Sequence, residues 1–327
     1  MRDNTHSNRK RPQPTSFSRQ FIKRLSSWLA LTTVLTVGTA HAASLYWDTD
    51  GSTVGNNVDG TGLGGTSGFW NTGAANWWDL SSLVVWPDTS ADEAIFSGPF
   101  TAGTPSAKAV TISTGVTANR LTFRRGGYAI SGGTLTLAGT GAGLYAQFGE
   151  SAAISSNLLG SAGLIKSGGG SIRLTGDNSG LTGALSITGG SLIINSALAL
   201  PGSGAVSVTS GNGTPSNVNL IGFTGGSLVL DGTAAGFTFA RDVNLEGRGP
   251  IGDRGAALQS LGDNILSGTV STAVSPLIPA TIRNSRINSV NGTLTLSGTL
   301  NAGGTSATTF TNLGGTNSAG VGNFDLT

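Results

Sequence analysis

The side chains of this sequence best placed for acid–base chemistry are Asp242, Glu246 and Asp253, interleaved with Arg241, Arg248 and Arg254 in RDVNLEGRGPIGDRG. Val243 and Leu245 alternate with Asp242, Asn244 and Glu246, which puts those three polar residues on one outer face of a strand. Paired carboxylates there would suit polysaccharide cleavage, whereas opposed charges mixed on a solvated face are ordinary surface composition. The second is the expectation, and no catalytic residue is assigned. A second group, Asp48, Asp50, Ser52, Asn56 and Asp59 in DTDGSTVGNNVD, falls at offsets 1, 3, 5, 9 and 12 of a calcium loop. Thr53 stands where such a loop needs Gly and Asp59 where it needs Glu, so calcium is left open and no metal is assigned. A third group is Trp70, Trp77 and Trp78, flat rings on which a sugar could stack.

Most other chemistry is excluded by composition. The 327 residues include no Cys, and both histidines, His6 and His41, lie near the start. Past residue 42 there is neither imidazole nor thiolate, so no Ser-His-Asp or Cys-His nucleophile and no zinc, copper or haem site of those kinds. No GxxxxGK[ST] phosphate loop occurs, and no cofactor is expected.

The elements that must position these residues are strands. Residues 1–42 read as a signal peptide: seven Lys/Arg before residue 25, an apolar run from Leu25 to Val37, then Ala40-His41-Ala42. They carry +6 and the remainder −4, so an exported chain is weakly acidic and has no basic stripe for nucleic acid. No later stretch is apolar for 18 residues, so no transmembrane helix is expected after cleavage. Residues 43–109 hold every later Trp (Trp47, Trp70, Trp77, Trp78 and Trp86) and read as an N-terminal cap over an open apolar core. Residues 110–327 are short alternating segments bounded by Gly, five of them nearly alike: GGTLTLAGT, GGSIRLTGD, GGSLIINSA, GGSLVLDGT and NGTLTLSGT. The glycines at their second positions, Gly133, Gly170, Gly190, Gly226 and Gly292, fit multiples of a unit of about 20 residues, the period of a solenoid. The expected fold is all-β, a parallel β-helix. Ile172, Leu174, Leu192, Ile194, Leu228 and Leu230 should be buried, with Lys166, Arg173 and Thr175 facing water.

Residues 160–194, GSAGLIKSGGGSIRLTGDNSGLTGALSITGGSLII, resemble the autotransporter-associated β-strand repeat of secreted bacterial surface proteins. The likeness lies in GLIKSGGG opening into an alternating strand, the turn at Asn178 to Gly183, and SITGGSLII as the next strand. That turn lacks the aromatic residue usual in the family. RINSVNGTLTLSGTL and the YWDTDGSTVG, FWNTGAANWWD and DEAIFSG segments are similar to further parts of such proteins. The resemblance implies a right-handed β-helical passenger, exported and displayed at the cell surface, with no family catalytic residues to carry over. It also implies a translocator supplied by another chain or by a C-terminal region missing here. The expected role is structural and adhesive, toward an unidentified surface or matrix ligand, with glycan binding through the Trp-rich segment as the alternative and a polysaccharide-degrading enzyme behind it.

Overall fold

The computed structural model describes residues 42–64, 67–98, 108–209, 225–247, 249–250, 256–272 and 285–302, and the backbone of strands Thr309–Phe310 and Phe324–Leu326. Apart from Ala42, the expected leader lies outside them.

Alternating apolar and small polar residues bury one face of a strand and wet the other. A strand of three to five residues between glycines buries too little to stand alone, so each coil must stack on its neighbours. The chain does this by winding past three faces in turn. On the first face lies a twelve-stranded sheet. Ten of its strands, from Ser44–Trp47 to Leu300–Ala302, are parallel, and Trp77–Trp78 and Leu83–Val84 add two antiparallel strands at the N-terminal end. The second face is a ten-stranded parallel sheet from Gly68–Trp70 to Thr309–Phe310. The third carries a three-stranded ladder, Val116–Ala118, Thr134–Leu137 and Asn157–Leu159, and a four-stranded one starting at Thr238–Phe239. Between the two, a turn bridged through Gly160 and Leu181 and the 3-10 turn Ala197–Ala199 take the strand's place. Among the described residues there is no α-helix. This is a parallel β-helix, and ten coils at about 4.8 Å make a stack roughly 45 Å long.

Register carries like residues onto like. On the second face Ile172, Leu192 and Leu228 are in line, as are Leu174, Ile194 and Leu230, and all six are fully buried. Each is worth about 1.5–3 kcal/mol against exposure. In the central coils Lys166, Ile187 and Val208 are ladder partners 21 residues apart, within the expected period; from Leu245 to Thr272 the step is 27. Coil length therefore varies at the corners while register holds. Some corners demand glycine: Gly190 has φ +61°, and a Cβ there would come within 2.1 Å of the Gly170 carbonyl oxygen in the coil below.

Two expectations need correction. The coils begin at Ser44, well before Val110: the first ladder runs through the expected boundary at 109/110, and Ser44–Trp47 and Glu93–Phe96 are its first two parallel strands. Lys166 does not face water. It occupies an inward column between Leu144 and Ile187 and is fully buried. Its Nζ lies 3.1 Å from the carbonyl oxygen of Ser167, 3.2 Å from Gly168, 3.0 Å from Gly170 and 2.8 Å from Gly189, so the ammonium ties one coil to the next across a glycine corner. Arg173 and Thr175 do point outward, and Arg173 reaches across to Asp231 at 2.7 Å.

Trp47, Trp70, Trp77 and Trp86 pack with Phe96 at the N-terminal end of the core, ring centroids 4.6–6.1 Å apart and mostly edge to face. Trp86 donates its Nε1–H to the Thr117 carbonyl at 2.8 Å, while Trp47, Trp70 and Trp77 bury theirs without an oxygen acceptor. Each unmet N–H costs about 1–3 kcal/mol, which ring burial and edge-to-face contact offset. Removing residues 43–98 would strip this plug and leave Arg120–Phe123 as a bare strand edge. The expected result is conversion of soluble chain to aggregate, read by light scattering during purification; a monodisperse, folded product would rule out a capping role.

Candidate interaction surface

Among the described residues, the sequence-predicted carboxylates are not brought together. Asp242 and Asn244 are exposed and Glu246 half-buried, on the outer face of strand Val243–Leu245 as expected. Four residues of extended strand set the Cα atoms of Asp242 and Glu246 about 13 Å apart, so their carboxyl groups would reach the roughly 5–9.5 Å of glycosidases only if both side chains leaned toward each other. Asp242 instead accepts from the Thr269 backbone N–H at 2.7 Å, tying two coils together. Arg241 leaves the expected surface cluster altogether: it is buried, donates to the carbonyls of Gly204 at 2.7 Å and Pro201 at 3.0 Å, and burial lowers its pKa. Asp253, Arg248 and Arg254 lie outside the described residues.

The aspartates of the calcium-like segment serve their own turns. Asp48 is fully buried, with Oδ2 accepting from Asn56 Nδ2 at 2.6 Å and Oδ1 from the Gly64 N–H at 3.1 Å. Burial pushes its pKa up. Asp50 accepts from the Ser52 N–H and Asp59 from the Thr61 N–H, each at 2.8 Å. Among the described residues no three carboxylates or imidazoles gather as a metal group.

Trp70, Trp77 and Trp78, the rings on which a sugar could stack in the alternative to a cap, lie inside. Trp70 and Trp77 are fully buried, so neither ring offers a face to a sugar. Trp78 turns to the opposite side of its strand and packs at 5.6 Å from Tyr46, in a second small cluster with Leu63 and Ile95. Their size and amphipathic rings suit a plug better than a display, because burying a Trp gains more area than any other side chain offers.

What the coils do bring together is a pair of polar columns on the outer face of the first ladder. Parallel register stacks Ser186, Ser207, Asn244 and Ser271 in one line, headed by the exposed Ile165. Two residues along each strand a second line runs from Tyr145 through Ser167, Thr188 and Thr209 to Glu246. All these side chains are half-buried or exposed. Thr188 also donates its hydroxyl to the Lys166 carbonyl at 3.3 Å, which leaves its oxygen free to accept from outside. Single-residue inspection missed these columns, because their members stand 21 or more residues apart. The signal that could have found them is the second outward position of each repeat, aligned coil by coil.

No protein-family model matches the chain, and no solved structure does. Among curated proteins, the chain is 34% identical over 257 residues to the adhesin BmaC autotransporter of Brucella suis biovar 1 (strain 1330). The match takes in 76% of this chain but only 7% of that protein's length. Over three quarters of its residues this β-helical chain is thus related to one short segment of an autotransporter adhesin.

Proposed function

We propose that this chain is a surface-displayed β-helical passenger segment with an adhesive role and no catalytic one, built from divergent autotransporter-associated β-strand repeats behind a cleaved signal peptide. The observation that carries the reading is the continuous stack of coils, whose first ladder carries columns of Ser, Thr and Asn side chains on its outer face. The 34% identity with an autotransporter adhesin supports it from a second direction. A β-helix suits that role: it holds a long face rigidly away from its anchor and repeats weak contacts along it. On this reading the chain works at the outer surface of the cell, and its partner is a surface or matrix component.

The test is retention under flow. Beads coated with the full chain should be held on layers of cells or extracellular matrix several-fold more than beads coated with an unrelated β-helix. Equal retention of both on every layer would remove the adhesive reading.

A further inference from the structure

The two outer columns of the first ladder have a chemistry of their own. From Ser167 to Asn244 neither column contains a charged side chain; the nearby Lys166 is turned into the core, and Asp242 and Glu246 stand at the far end. Short Ser and Thr side chains lose little rotamer freedom on binding, and each hydroxyl can both donate and accept. They recur at the strand spacing of about 4.8 Å along the coil axis.

The partner must fit that pattern. Strand addition by a peptide needs an open sheet edge with unpaired backbone groups, whereas here the backbone is already bonded on both sides of each strand. A polyanion would meet two carboxylates at one end and a single cation, Arg120 beside Gly143, at the other. A linear, neutral polymer with a hydroxyl-bearing repeat close to the strand spacing meets a matching group at every coil. Tyr145, half-buried at one end of the second column, adds an aromatic ring against which the apolar face of a sugar can rest.

We propose that the outer face of the first ladder, from Tyr145 to Ser271, is a docking surface for a linear, neutral polysaccharide lying along the coil axis. The inference rests on the adhesive reading and names its partner class. Each coil contributes a hydrogen bond or two of modest net worth, so affinity comes from the number of coils engaged.

Affinity electrophoresis of the full chain through gels containing hydroxyethylcellulose, a neutral β-1,4-linked glucan, tests it, with cello-oligosaccharides as competitors. Expected are retardation that persists in high salt and competition that strengthens up to about six sugars, one for each coil from Tyr145 to Ser271. The double variant Ser207→Lys/Thr209→Lys should weaken binding about tenfold at an unchanged melting temperature, as loss of two hydrogen bonds implies. Tyr145→Ser should weaken it by a smaller factor. No retardation by the neutral glucan, or retardation only by heparin that disappears with salt, overturns the inference. Bead retention on cells or matrix without glucan binding would leave the adhesive reading standing and this inference overturned; glucan binding without bead retention would do the reverse.

Discussion

Leu192→Asp should lower stability by several kcal/mol, enough to unfold the central coils at room temperature. Leu192 is fully buried and lies in register between Ile172 and Leu228, with apolar side chains above and below it. A carboxylate there has no cation in reach within its column. It must either ionise in an apolar medium or take up a proton, and both are costly. The cavity left by the shorter side chain adds to the loss. Thermal or urea unfolding followed by circular dichroism gives the number, and a variant that melts with the parent would mean that the column has a different register. Ser191→Asp, one residue away on the outer face, is the control and should change little.

Lys166 should give the second large effect, and one that depends on pH. Burial pushes its pKa down to about 7, while the carbonyl oxygens of Ser167, Gly168, Gly170 and Gly189 around Nζ favour the charged form. In the unfolded chain the same amine titrates near its ordinary value of about 10.4. Below pH 7 both states hold the proton and the difference does not vary. Between about 7 and 10 the unfolded chain binds more protons than the folded one, so stability rises with pH across that window. The rise should reach a few kcal/mol at most, reduced by the extent to which the carbonyls hold the proton on. Lys166→Met keeps the volume but removes the titration, so its stability should be flatter with pH. Lys166→Ala also leaves a cavity and should cost roughly 3 kcal/mol or more. Urea midpoints from pH 6 to pH 10 for all three proteins test this; coincident pH profiles for parent and Lys166→Met would show that burial leaves the amine unshifted.

Strand positions and the inward column of the second face were legible because alternation and glycine punctuation are strictly local signals. Leu192, Ile194, Leu228 and Leu230 could be assigned to the core from a few neighbours each. Lys166 was misplaced for an equally physical reason. Its spacing from Leu164 puts both on the inner face, against what its charge alone implies; the glycine corner that follows, SGGG, supplies carbonyls close enough to accept a buried ammonium. Arg241 behaves likewise, finding its acceptors 37 and 40 residues earlier, at a distance in sequence no local pattern reveals. The Trp cluster was legible as a group and ambiguous in direction, since composition does not say which side of a strand a ring takes. The Ser and Thr columns depend on coil-to-coil register, which exists only once corner lengths are known.

The equal 21-residue steps between Lys166, Ile187 and Val208 bear on how such a chain changes over generations. A segment of that length starts and finishes at the same point of the cross-section. Unequal recombination that copies or drops one such segment rejoins strand to strand on both sheeted faces and alters only the length of the stack, by about 4.8 Å. Genes encoding coils of this kind can therefore lengthen or shorten in whole steps while every intermediate remains foldable, and the reach of the encoded rod becomes a quantity that selection can tune in increments.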